Sequence, residues 1–201
     1  MKIRSALFYT SAPSLDSCPT SALSEFAFIG RSNVGKSSLL NMLAGKEGLA
    51  KVSATPGHTQ LINFFVINDA WSLVDLPGYG YATTHRSERA RFETMISDYL
   101  TKRSNLARVF VLIDSRHAPQ TIDLEFVQWL MTAGTPIAFV FTKVDKSKPK
   151  QVQKNIELFR EAVSAMSQEF PPFFTTSIET GDGRSQLLGF IEKSLEKTRD
   201  A

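Results

Sequence analysis

The sequence predicts an α/β fold, a mostly parallel six-stranded sheet with one antiparallel strand and helices on both faces. Strand-length apolar runs at 25–29, 61–67, 71–75, 108–113, 136–141 and 172–176 mostly alternate with amphipathic helical stretches. The first of them, Phe26-Ala27-Phe28-Ile29, runs into a glycine-containing loop that opens a helix. Between the second and third runs, Asn68-Asp69 has the chemistry of a hairpin turn, which reverses one strand against its neighbours.

Taken in order, residues 1–23 form a lead-in, with Ile3 to Tyr9 suited to a short strand ahead of a Ser/Pro-rich loop. Residues 24–199 then make one domain, with no repeat, low-complexity tract or linker to divide it. A helix starts near Lys36 with Leu39, Leu40 and Leu43 along its apolar side. A second, over 87–103, aligns Phe92, Met95, Ile96, Tyr99 and Leu100 on one face. A shorter helix over 121–132 carries Leu124, Val127 and Leu130. Val152, Ile156, Phe159, Val163 and Met166 mark a fourth, and Leu187, Leu188, Ile191 and Leu195 the last. These stripes are core faces. In such a sheet, ligands bind at the carboxyl ends of the strands.

The bulk properties restrict the function classes. The chain has 201 residues, 42% hydrophobic and 21% charged, which suits a packed soluble domain rather than a disordered one. Cys18 is the only cysteine, so no intrachain disulfide or multi-cysteine metal site can form. No apolar run approaches the ~20 residues of a membrane span, and Met1-Lys2-Ile3-Arg4 leads into no long apolar segment of the secretory type. The expectation is a cytoplasmic monomer with no membrane partner. A formal net charge of +3 permits an anionic partner without requiring one.

Gly30-Arg31-Ser32-Asn33-Val34-Gly35-Lys36-Ser37 fits the spacing of a phosphate-binding loop, with Ser38 continuing it. Its backbone N–H groups and the helix N-terminus suit a polyphosphate. Lys36 supplies charge to the outer phosphates, and the Ser37 hydroxyl is a ligand for Mg2+. Asp75-Leu76-Pro77-Gly78 closes the run 71–75. There Asp75 can hold magnesium through its water shell, and the Gly78 N–H can approach a γ-phosphate with no Cβ in the way.

Thr142-Lys143-Val144-Asp145 follows the run 136–141. The Asp145 carboxylate can accept paired bonds from the N1–H and exocyclic amine of guanine, donors that adenine cannot offer together. The Lys143 stem suits the purine face. The ligand expected is therefore GTP or GDP, and an ATP-using kinase is disfavoured. Thr142 stands where switch proteins usually carry Asn; its hydroxyl can tie this segment to the phosphate loop with fewer bonds. Within Thr55-Pro56-Gly57-His58-Thr59-Gln60, Thr59 is the preferred second magnesium ligand and Thr55 the alternative. Thr176-Ser177-Ile178 can place Ser177 and the Ile178 N–H against guanine O6.

Together these segments resemble the EngB (YihA/YsxC) family of bacterial ribosome-biogenesis GTPases, within the Era-like branch. The resemblance spans 24–195 and rests on Gly30 to Ser38, Thr55 to Gln60, Asp75-Leu-Pro-Gly-Tyr-Gly-Tyr81, Asp114-Ser-Arg-His117 with Asp123, and Thr142 to Lys146. His58 departs from the Lys or Arg common there, and Ser177-Ile-Glu-Thr-Gly-Asp-Gly183 is not a clean match. The resemblance implies a Ras-like P-loop GTPase domain that binds GTP and GDP with magnesium. It also implies a role in assembly of the large ribosomal subunit and a need in normal cell division and septation. The alternative is a weakly hydrolysing guanine-nucleotide scaffold of the division machinery.

A Ras-like switch places a water-orienting Gln directly after Asp-x-x-Gly, and here that residue is Tyr79. Slow intrinsic hydrolysis is expected, since missing water positioning or an absent arginine finger matters by about 10³–10⁵ in rate. In several related GTPases an Asn at the position of Asn33 helps hold a potassium ion; a loop-stabilising Asn is the alternative. Lys36, Asn33, Thr59 and Gly78 are thus the catalytic candidates. Arg86, Arg89 and Arg91 are candidate ribosomal RNA contacts, on a helix whose far end carries Lys102 and Arg103. Glu88 and Glu93 dilute that patch, so an ordinary solvated helix face is the alternative.

Overall fold

The computed structural model describes residues 1–50, 61–80, 86–167 and 169–199. Its strands are β1 (Ala6–Ala12), β2 (Glu25–Gly30), β3 (Ile62–Ile67), β4 (Trp71–Asp75), β5 (Leu106–Asp114), β6 (Ile137–Thr142) and β7 (Phe173–Thr175). Its helices are α1 (Lys36–Ala44), α2 (Arg86–Lys102), α3 (Thr121–Thr132), α4 (Pro149–Ser164) and α5 (Arg184–Arg199). The strands form one sheet in the order β1-β3-β4-β2-β5-β6-β7. β3 is antiparallel to both neighbours, and every other pairing is parallel.

The sheet has seven strands where the apolar runs predicted six. The seventh, β1, lies in the lead-in, overlaps the short strand expected over Ile3 to Tyr9 but runs three residues further, and joins the sheet by pairing with β3 from Ala6↔Ile67 to Ala12↔Ile62. Leu7, Phe8 and Tyr9 on it are exposed, so it lacks the buried alternation that marks the other strands. The hairpin forms at the residues expected. Asn68 and Asp69 have φ of 51° and 52°, the left-handed pair that a two-residue turn needs, and Ala70 N–H donates to Ile67 O at 3.0 Å.

Strand alternation divides the core between the two sheet faces. Val109, Val111 and Ile113 of β5 face α2, α3 and α4, meeting Tyr99, Val127 and Phe159. Phe110 and Leu112 face α1 and α5, meeting Leu40, Leu43 and Leu187. Each such side chain contributes about 1.5–3 kcal/mol on burial. Much of the phenylalanine packs ring against ring: Phe28 stacks on Phe110 at 4.8 Å, and Phe174 meets Phe190 edge-on at 5.2 Å.

A charged group anchors the amino-terminal end of the central strand β2. Glu25 is buried, and its carboxylate accepts from Tyr99 Oη at 2.7 Å and Arg103 Nη2 at 2.5 Å. Arg103 also donates to Pro19 O at 2.6 Å, fastening the lead-in to the end of α2. Cys18 lies beside this cluster, and burial pushes its thiol up to about 11, which leaves it protonated and inert at neutral pH. No helix among the described residues is long and apolar enough to cross a membrane.

Candidate functional site

Five adjacent parallel strands, β4, β2, β5, β6 and β7, end at one edge of the sheet, on Asp75, Gly30, Asp114, Thr142 and Thr175. The loops leaving that edge carry the residues singled out in the sequence.

After β2, the loop from Gly30 to Gly35 turns into α1. A Cβ on Gly30 would lie 2.9 Å from Leu112 O and 2.9 Å from Val34 Cγ1, so only glycine lets the loop leave against β5. Gly35 caps α1 at φ 102°, and Asn33 is held in the left-handed region at φ 63°. Ser32 and Asn33 are exposed, while Arg31, Gly35, Lys36, Ser37 and Ser38 are half-buried and Val34 is buried. The Lys36 ammonium pairs with the Asp75 carboxylate, which links the loop to the end of β4. A cavity of about 200 Å³ lies between Arg31–Val34 and the β5–α3 connection.

Past Asp75, the chain runs along the phosphate loop. Leu76 N–H donates to Phe28 O at 3.0 Å, and Tyr79 N–H to Gly30 O at 3.2 Å. A Cβ on Gly78 would lie 2.8 Å from Gly30 O and 3.3 Å from Ser32 N. The sequence accounts for Gly78 by an approaching phosphate; the loop's own backbone already leaves no room for a side chain. Tyr79, in the place of a water-orienting Gln, turns inward. Its hydroxyl donates to Asp123 Oδ1 at 2.8 Å, and its ring stacks on Phe126 at 4.1 Å.

The segment after β6 reaches back to the phosphate loop. Thr142 Oγ1 donates to Val34 O at 2.7 Å, the tie expected of a hydroxyl there, and lies 3.3 Å from Ile113 O. Lys143, at φ 61°, donates from Nζ to Asn33 O at 2.7 Å and to Asp114 Oδ2 at 3.0 Å. Val144 opens a short 3-10 turn, Val144–Lys146, and its N–H donates to Thr176 O at 3.3 Å. The Asp145 carboxyl is held below the usual range by a hydrogen bond from Ser177 and by Lys146, 3.3 Å away.

Ser177 therefore meets Asp145, and Thr176 meets Val144, despite the weak sequence match of their loop. Thr176 N–H donates to Phe141 O at 2.8 Å, and Ser177 Oγ accepts from Thr180 N–H at 3.2 Å. A Cβ on Gly35 would lie 3.6 Å from Lys143 Cε and 3.8 Å from Ile178 Cδ1. Phosphate loop, lysine stem and Ile178 thus border one space.

Thr55, Gly57, His58 and Thr59 lie outside the described residues, as do the side chains of Arg86 and Arg89. Arg91 is exposed. At the far end of that helix Lys102 pairs with Asp98 at 2.7 Å, and Arg103 is turned inward to Glu25. A buried carboxylate without a cation is costly enough to draw the arginine in.

Sequence motifs assign Asp114 no role of its own. Burial pushes its carboxyl up, but hydrogen bonds from Arg116 and Lys143 outweigh that and hold it at about 2. It thereby fixes the ammonium of Lys143. The signal was present: Asp114 ends an apolar strand, as Asp75 does, and pairs in register with Thr142.

A parallel sheet whose carboxyl edge joins a phosphate loop, an Asp-x-x-Gly turn and a Thr-Lys-x-Asp turn defines the class of P-loop guanine-nucleotide-binding proteins. A family model described as a 50S ribosome-binding GTPase matches residues 25–143. The chain is 52% identical to the probable GTP-binding protein EngB of Christiangramia forsetii over 96% of this chain and 97% of that one. It is 50% identical to the protein of the same description from Bacteroides thetaiotaomicron, over 96% and 95%. Among solved structures, a probable GTP-binding protein engB superposes with a TM-score of 0.67 at 25% identity, covering 87% of this chain and all 100% of that one. The chain belongs to the EngB family of GTP-binding proteins, and it is a GTPase by fold and family.

Proposed function

We propose that this chain is a cytoplasmic GTP-dependent switch that acts in assembly of the large ribosomal subunit and is needed for normal cell division and septation. The observation that carries the nucleotide reading is the meeting of Gly35, the Lys143 stem and Ile178 around one space, with Asp145 and Ser177 hydrogen-bonded beside it. The family description, a 50S ribosome-binding GTPase, supports the subunit reading.

In this reading the backbone from Gly30 to Ser38 holds the phosphates, and Lys36 leaves Asp75 to meet them. Asp145 selects guanine, with Thr176, Ser177 and Ile178 closing over its O6 edge. Lys143 lies along the purine, held by Asn33 O and Asp114. The donors at the loop fit magnesium: a hydroxyl on Ser37 and a carboxylate on Asp75 are hard oxygen ligands. Ser37, Asp75 and Thr59 would hold Mg2+, which when bound offsets phosphate charge.

Hydrolysis is slow, because the Tyr79 hydroxyl is committed to Asp123 and cannot orient water. Asn33 is a candidate to hold potassium; its side chain is exposed and makes no hydrogen bond among the described residues. Equal turnover in K+ and Na+ would remove that role. Arg86, Arg89 and Arg91 are the candidate ribosomal RNA contacts, and the protein is a monomer.

The test is co-sedimentation with large ribosomal subunits in GDP and in a non-hydrolysable GTP analogue. Nucleotide-dependent association, with turnover stimulated by the subunit, is expected. Association indifferent to nucleotide, with no stimulation, would favour a division scaffold instead.

A further inference from the structure

We propose that Asp123 is a positioning residue that, by holding the Tyr79 hydroxyl, sets the Gly78 N–H and lets the site distinguish GTP from GDP. The inference rests on the nucleotide reading above and adds to it a residue outside the nucleotide-binding segments.

Gly78 has no side chain by which it can be held. Its backbone orientation depends on its neighbours: Pro77, whose ring fixes φ, and Tyr79. Tyr79 is pinned at both ends. Its N–H donates to Gly30 O at 3.2 Å, forming a bridge beside Arg31 of the phosphate loop. Its hydroxyl is buried against Asp123 Oδ1 at 2.8 Å. The ring between them lies on Phe126, with planes 22° apart.

The next residue closes on the same helix. Gly80 has φ 77°, and a Cβ there would lie 2.6 Å from Ile122 Cδ1. The segment after Asp75 is therefore fastened to the first turns of α3 by Ile122, Asp123 and Phe126. A buried carboxylate is an expensive way merely to fill space, since aliphatic packing would serve without desolvating a charge. Burial pushes the Asp123 carboxyl up, while the Tyr79 hydroxyl and the nearby Arg31 oppose that. The bond has a direction that packing lacks, and direction is what an N–H aimed at a third phosphate requires.

The experiment measures affinity for GDP and for a non-hydrolysable GTP analogue, with magnesium, by calorimetry. It compares the full-length protein with Tyr79→Phe, Asp123→Ala and Asp123→Asn. Tyr79→Phe keeps the ring on Phe126 and removes only the hydroxyl. The expected result is analogue binding about fivefold weaker (~1 kcal/mol) in Tyr79→Phe and Asp123→Ala. GDP affinity stays within about twofold in both, because GDP lacks the phosphate that Gly78 meets. Asp123→Asn, whose amide oxygen still accepts the bond, recovers analogue binding. Equal weakening of both nucleotides, or an unchanged ratio in every variant, overturns the proposal while leaving the nucleotide reading intact. Wild-type protein that binds neither nucleotide overturns that reading and this one together.

Discussion

Asp145 and Asp114 are two carboxylates one strand apart with different work. In the proposed function Asp145 takes the donors of guanine, and Ser177 hydrogen-bonds to its carboxylate. Replacing it with Ala removes a charged acceptor of two hydrogen bonds. GDP affinity should fall by about 10²–10⁴-fold, measured by calorimetry, at roughly 1.5–3 kcal/mol for each bond to a charged group. Asp114 instead holds Lys143, and its carboxyl sits at about 2, below its ordinary value. Its stabilising contribution is complete above pH ~4 and is lost as pH falls from there toward 2, because the unfolded chain takes up the proton first. Thermal midpoints recorded from pH 2 to 6 should therefore fall more steeply for the wild type than for Asp114→Asn. At neutral pH the variant should also bind GDP more weakly, because Lys143 loses one of its two anchors.

The elements show where local pattern sufficed. Helical stripes located all five helices, and α3 occupies 121–132 as expected. Each helix buries a face that periodicity can reveal. β1 and Arg103 show the opposite. A short strand is legible at β1, but not its place in the sheet: it exposes Leu7, Phe8 and Tyr9 and joins through backbone pairing with β3, which side-chain pattern does not encode. Arg103 reads as part of a basic helix end until Glu25, 78 residues away, is seen beneath it. Arg103→Ala should destabilise the fold by about 3–5 kcal/mol in denaturant unfolding, because Glu25 is left buried without its cation. A loss below 1 kcal/mol would mean that water reaches Glu25 in the variant.

At the scale of the whole molecule, one edge of one sheet gathers residues from Gly30 to Ile178. A ligand that bridges these loops should stabilise the entire fold. With Mg2+-GDP at a thousand times its dissociation constant, mass action adds about 4 kcal/mol. For a domain of this size that corresponds to a rise of roughly 8–16 °C in thermal midpoint. Mg2+-ATP at the same concentration should give little shift, since adenine cannot pair with Asp145.

The sequence by itself determined the α/β class, the order of the elements, the phosphate-loop motif and the Thr-Lys-x-Asp motif that ends on Asp145. These are features carried by residues near one another in the chain, where spacing and period are sufficient signals. Only the tertiary structure decided the partners of buried polar groups: Tyr79 with Asp123, Lys143 with Asp114, and Glu25 with Arg103. Such pairs are selected by the cost of leaving a buried donor or carboxylate unmatched, and that cost appears only once distant segments are packed together. The Tyr79 pairing is the case with the most consequence, because it turns the position of a missing glutamine into an anchor for the turn that would meet the third phosphate.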